Sequence, residues 1–237
     1  MEEHARGLYQ KLSRQEASDA VTSLGWRLVL GELRTEVLTG SLPLAADVAA
    51  RAASAAGAEG HLRMDVRADR VILSLQTAAE GWVTEQDVEL ARAISAIVDG
   101  TRLETVGGTG GDGGGGRSVQ VVEIGIDALD AAAIRPFWRA LLGYADEPGQ
   151  PGPGDGLVDP QGQGPAVWFQ RMDAPRPQRN RIHFDVSVPH DEAGSRIEAA
   201  LAAGGTLVDD THAPAFWVLA DAEGNEACVT TCEGRDG

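Results

Sequence analysis

Cysteine is nearly missing: Cys228 and Cys232 are the only two in 237 residues. Two thiols cannot build the framework of a small disulfide-stapled fold, so a packed core has to hold the chain together. Long apolar runs are missing as well, and none approaches the roughly 18 residues of a membrane span. The opening MEEHARGLYQ is acidic and polar, unlike a secretory leader. Lysine occurs once, the other basic residues being arginine; that choice of cation carries no functional weight. Positive charge is in deficit overall, with 20 basic against 36 acidic side chains and a net charge of −16. Such a field repels phosphate backbones and anionic lipid, and it disfavours a strongly anionic substrate unless arginines gather locally. The expectation is a cytoplasmic protein with no nucleic-acid or membrane partner. Apolar content of 43% and charged content of 24% are those of an ordinary globular protein.

Organisation is more telling than composition. Residues 107–117 read GGTGGDGGGGR, with eight glycines in eleven positions. So glycine-rich a segment behaves as a flexible coil and buries too little apolar surface to order itself. It is read as a linker between residues 1–106 and residues 118–237. The alternative is a long surface loop within one domain. The halves also differ in charge, −5 for residues 1–106 and −11 for 107–237.

The first half reads helix, strand, strand, helix, strand, strand, helix. Residues 14–24 are helical, and short alternating stretches flank Gly31. Pro43 opens an alanine-rich helix, as proline does at an early helical position. Val71, Leu73 and Leu75 alternate with Ile72, Ser74 and Gln76, the period of a half-buried strand. Thr84 with Asp87 three residues on is a capping-box variant ahead of TEQDVELARAISAIVD. The fold class expected is α+β, with helices on one face of an N-terminal antiparallel sheet.

The second half carries a weak internal repeat. VQVVEIGID (119–127) and RIHFDVSVP (181–189) are both strands, each followed by a helix and then by short strands. Asp159-Pro-Gln-Gly-Gln and Asp221-Ala-Glu-Gly-Asn lie 62 residues apart, each a turn into a final strand. Two paired βαβββ modules are the simplest description, and modules of this kind can curl their sheets around a shared pocket.

Three motifs, FWRALLGY (137–144), VWFQRMDAPRPQRNRIHFDV (167–186) and LADAEGNEACV (219–229), make residues 118–233 resemble the glyoxalase/bleomycin-resistance superfamily, also called vicinal oxygen chelate, in its glyoxalase-like subgroup. Residues 10–100 are similar to pterin-4a-carbinolamine dehydratase. That match runs through Trp26, the helix over 43–56, Ala58-Glu59 and VILSLQTAAEGWVTEQDVELA (71–91).

The second resemblance implies a dehydratase that works through imidazoles. Losing water from a carbinolamine requires a proton donor at the leaving hydroxyl and a base for the ring nitrogen proton. The family's His-His-Pro and Thr-His positions fall here at Gly60, His61, Leu62 and Ala78. One histidine of three remains, His61, which is the single candidate catalytic residue. An exposed loop histidine is the expectation favoured for it, and a domain with a degenerate active site follows.

The first resemblance implies a metal held by one ligand from the first and one from the last strand of each module, usually His, Gln or Glu. The register puts Gln120 and His183 at the opening positions. Cys228 closes the second module, and Ala166, Trp168 or Gln170 the first; Glu226 lies two residues before Cys228. If a metal binds, its candidate ligands are His183, Cys228 and Gln120, a poor set for a hard cation. The cofactor expectation is therefore none, with a divalent metal as the alternative. The candidate pocket is Gln120, Trp168, Gln170, His183, Trp217, Glu226 and Cys228, although His183 and the two tryptophans also fit a plain core role. Cys228 and Cys232 share a strand face about 13 Å apart and cannot pair. The function expected is small-molecule binding, with a homo-oligomer left open. The alternative is a lyase, either 4a-hydroxytetrahydrobiopterin dehydratase or a metal-assisted glyoxalase-type enzyme.

Overall fold

Ser13 starts the first helix by accepting a hydrogen bond from the Glu16 N–H, and the Glu16 carboxylate accepts one in turn from the Ser13 N–H. This reciprocal cap satisfies donors that a helix start leaves unpaired. The computed structural model describes residues 10–107, 119–175 and 182–234. It divides into two compact units, Met1–Val121 and Val122–Gly237. Most of the glycine-rich segment lies outside the described residues.

In the first unit, α1 (Arg14–Thr22) precedes β1 (Arg27–Val29) and β2 (Glu32–Leu38). The two strands are joined by Leu30 and Gly31, both at positive φ (50° and 78°). A two-residue hairpin loop with that backbone matches the twist of the flanking strands. Then come α2 (Leu42–Ala53), β3 (Leu62–Val66), β4 (Arg70–Leu75), α3 (Glu85–Asp99) and a short β5 (Thr105–Val106). The sheet is antiparallel in the order β1-β2-β4-β3, with β5 also pairing β2. Leu33 and Val37 of β2 and Val71, Leu73 and Leu75 of β4 point inward. They meet Val48 and Ala52 of α2 and Leu90, Ile94 and Val98 of α3. Trp26 is wholly buried, and its indole N–H is satisfied by the Ser95 hydroxyl at 2.9 Å. Each large apolar side chain so buried contributes roughly 1.5–3 kcal/mol. The expected sequence of elements is present; β5, immediately before the glycines, is an addition to it.

The second unit repeats one pattern twice. The first module is β6 (Glu123–Ala128), α4 (Ala131–Leu142), β7 (Ala145–Asp146), β8 (Leu157–Val158) and β9 (Ala166–Arg171). The second is β10 (Phe184–Ser187), α5 (Ala193–Ala202), β11 (Thr206–Asp209), β12 (Phe216–Ala220) and β13 (Glu226–Thr230). The sheets run β6-β9-β8-β7 and β10-β13-β12-β11, with first and last strands parallel in each. Glu123 pairs with Ala166 and Asp185 with Cys228, so one 62-residue offset relates the two ladders as it relates the two turns. Asp159 and Asp221 make those turns by accepting backbone N–H groups from the residues just after them. One core serves both modules: Ile126, Ile134, Phe137, Trp138 and Val167 pack with Ala200, Leu219, Ala227 and Val229. The architecture is thus α+β, with paired βαβββ modules in the second unit. Among the described residues no helix is long and apolar enough to cross a membrane.

Candidate functional site

Side chains alternate across a strand, so residues two apart share a face. In β10 and β13, Phe184, Val186, Ala227 and Val229 pack on the core. His183, Asp185, Glu226 and Cys228 therefore point to the other face. Asp185 lies directly opposite Cys228 in the parallel ladder, and His183 immediately precedes the strand on the same side. Ligand-type atoms of His183, Asp185 and Cys228 all fall within 4.8 Å of one another. His183 Nε2 is 3.5 Å from Asp185 Oδ1. His183 and Asp185 are exposed and Cys228 is half-buried, so of the two readings open to His183 the core one is excluded.

The corresponding face of the first module carries Glu123, Gly125 and Asp127 on β6 and Ala166, Trp168 and Gln170 on β9. Gly125 stands opposite Trp168, and a Cβ there would lie 3.0 Å from the indole ring. The missing side chain lets the ring lie on the strand, and Trp168 stays 42% exposed. Gln170 is exposed opposite Asp127. Trp217 is different: it pairs with Val229, on the opposite face to Cys228, and packs against the core. Of its two readings it takes the core one. Gln120 is exposed, three residues ahead of β6 and within the first compact unit. Cys232 lies beyond the end of β13, and no disulfide joins it to Cys228. The sequence reading missed Asp185. The signal was the His-x-Asp spacing, which puts both side chains on one strand face.

Titration in this unit is perturbed around Glu147. Burial, and then the neighbouring Glu123 and Asp155 carboxylates, push its carboxyl above the ordinary range. Asp159 shows the opposite balance: burial opposes ionisation, but N–H donors of Gly164, Gln161 and Gln163 prevail and hold it below the usual range.

The expected exposure of His61 is overturned. It is buried, 8% accessible, at the entry to β3. Its Nδ1 lies 2.8 Å from Oδ1 of Asp87, which is completely buried in the first turn of α3. The other oxygen of Asp87 accepts from the N–H groups of Thr77 (3.1 Å) and Thr84 (2.8 Å) and from the Thr77 hydroxyl (2.8 Å). The turn from α2 and the N-terminus of α3 carry the histidine and the carboxylate into one place, which no local pattern reveals. Gly60, His61 and Ala78 do converge, since the Ala78 N–H donates to the Gly60 carbonyl at 3.0 Å. Among these three positions there is one imidazole, and its Nδ1 is engaged by Asp87.

A family model for the "Glyoxalase-like domain" matches residues 123–230, and one for "Pterin 4 alpha carbinolamine dehydratase" matches residues 10–97. The chain joins a pterin dehydratase-like domain to a glyoxalase-like domain. The dehydratase-like domain is similar to a transcriptional coactivator/pterin dehydratase from Brucella melitensis, 28% identical, over 37% of this chain and 98% of that one (TM-score 0.34). The glyoxalase-like domain is similar to a glyoxalase/bleomycin resistance protein/dioxygenase family enzyme from Burkholderia phytofirmans, 18% identical, over 46% of this chain and 95% of that one (TM-score 0.39). It is also similar to a fosfomycin resistance protein from Listeria monocytogenes, 12% identical, over 48% of this chain and 91% of that one (TM-score 0.36). No curated protein matches the chain.

The glyoxalase-like fold raises the question of a metal. An imidazole, a carboxylate and a thiol are the donor types of zinc, which takes three protein ligands and keeps a fourth position open in catalytic sites. They do not make the six- to eight-oxygen shell of a hard cation. The residues present fit a zinc-type ion.

Proposed function

We propose that the glyoxalase-like domain binds a small molecule on the equivalent faces of its two sheets, one carrying His183, Asp185 and Cys228 and the other Trp168, and that the dehydratase-like domain lacks dehydratase activity. The observation behind the first part is the convergence of His183, Asp185 and Cys228 within 4.8 Å on an accessible face. The exposed indole of Trp168, laid on Gly125, supplies a flat apolar surface on the equivalent face of the other module. A few polar groups together with aromatic surface are the usual make-up of a ligand site. In the dehydratase-like domain, Gly60 and Ala78 stand where imidazoles would be needed. Segment 107–117 joins the domains as a linker, and the protein works in the cytoplasm, as a monomer or a homo-oligomer.

A metal-assisted lyase is the second reading, favoured by the third donor Asp185. An ion held by His183, Asp185 and Cys228 would supply Lewis acidity toward a substrate oxygen. Native mass spectrometry of the purified chain tests the principal reading. The expected result is a non-covalent small-molecule adduct that is lost in Trp168→Ala and in His183→Ala. A wild-type chain with no adduct, before and after incubation with a cell metabolite extract, would overturn it.

A further inference from the structure

We propose that His183, Asp185 and Cys228 form a zinc-type site drawn from the second module alone, selective for thiophilic divalent ions over Mg²⁺ and Mn²⁺. The proposal rests on the reading of this face as the binding face.

The metal pattern that the resemblance implies takes ligands from both modules. In this chain the offset that maps Asp185 and Cys228 onto the first module lands on Glu123 and Ala166. Ala166 has no donor atom, so the first module cannot match the pair. The second module compensates on its own first strand. His183 and Asp185, two residues apart, both reach the face on which Cys228 stands.

The distances suit a small tetrahedral ion. Zinc bonds of about 2.0–2.3 Å set neighbouring donors about 3.3–3.8 Å apart. His183 Nε2 and Asp185 Oδ1 are already 3.5 Å apart, and the spread of all three donors is 4.8 Å. Closing it takes about 1 Å of side-chain movement, and His183 and Asp185 are exposed enough to move. Charge fits too: one carboxylate and one thiolate neutralise a divalent ion beside a neutral imidazole. Cys228 enters as the thiolate, and its proton leaves to solvent. That thiolate sets the selectivity, because sulfur ligands favour zinc-like ions whereas Mg²⁺ and Mn²⁺ favour oxygen donors.

The test is a Co²⁺ titration of the full chain after chelator treatment. The expected result is one equivalent bound, with tetrahedral visible bands and a near-ultraviolet sulfur-to-cobalt charge-transfer band, all displaced by Zn²⁺ and untouched by excess Mg²⁺ or Mn²⁺. Cys228→Ser should remove the charge-transfer band, and Cys232→Ser should leave it intact. His183→Ala and Asp185→Asn should each weaken Co²⁺ binding by at least about 100-fold, since even outer-shell losses cost about 10–100-fold. Circular dichroism melts of every variant separate lost ligation from lost folding. No band in the wild type, a band that survives Cys228→Ser, or displacement by Mn²⁺ would each overturn the site. Cobalt bands without a small-molecule adduct would uphold the metal site and sink the small-molecule reading. An adduct without cobalt bands would do the reverse.

Discussion

The indole N–H of Trp138, in α4 of the first module, donates to Oδ2 of Asp221, in the turn that opens β13 of the second, at 2.9 Å. Both residues are buried, at 1% and 3% accessibility. Asp221 also accepts the N–H groups of Glu223 and Asn225 and the Asn225 side-chain amide. The carboxylate that shapes the turn thus also ties the modules together. The neighbouring Glu223 accepts from the Leu129 and Asp130 N–H groups at the start of α4.

Asp221→Ala is therefore expected to destabilise the glyoxalase-like domain by at least about 2 kcal/mol, because it strands the buried Trp138 N–H and three part-buried donors. Asp221→Asn should cost less, since one oxygen remains to accept. Urea unfolding followed by tryptophan fluorescence measures both. A loss under about 0.5 kcal/mol for the alanine variant, the range of an ordinary surface change, would refute the account.

Glu147 gives a pH signature. Its carboxyl is raised in the folded protein by burial and by Glu123 and Asp155. A raised carboxyl contributes its full stability only while protonated, below the unfolded value, and loses it as pH rises through the folded value. Once ionised, the group is a burden. Glu147→Gln is expected to stabilise the protein at about pH 7 and to give no gain near pH 3.5, where the acid is protonated in both states. The gain should stay under about 1 kcal/mol, because solvent screens a partly exposed group. Thermal unfolding at the two values decides it, and an equal gain at both would contradict the electrostatic cause.

The dehydratase-like domain should be restorable. Wild-type protein is expected to give no acceleration of 4a-carbinolamine dehydration in a stopped-flow assay. Ala78→His with Gly60→His should raise the rate, since each general acid or base typically contributes ~10²–10⁴-fold. The space around Gly60 is open, but its φ of +77° will cost a side chain roughly 1–2 kcal/mol. Family-like turnover in the wild type would refute the inactive reading, and a folded double variant without gain would refute the assignment of these positions.

Much of the fold was legible because its signals are local. The alternation of Val71, Leu73 and Leu75 marked β4, and the Asp159 and Asp221 turns marked the repeat. The site was only half legible. His183 and Cys228 are legible together as candidate ligands, while nothing in the sequence reading singles out Asp185. Its partner across the ladder is 43 positions away in sequence. His61 reads in sequence as an exposed loop histidine. Its burial depends on Asp87, carried in by a helix that begins 24 residues later.

The sequence by itself determined the α+β class, the two halves, the βαβββ repeat and which residues could act as donors, because periodicity, turn chemistry and residue type act within a few positions. Tertiary structure alone decided that Asp185 faces Cys228, that Trp217 turns to the core while Trp168 stays exposed, and that His61 is buried against Asp87. Strand register and helix docking set those outcomes. They are fixed by which distant surfaces pack together, and a one-residue change of register would send every one of these strand side chains to the other face.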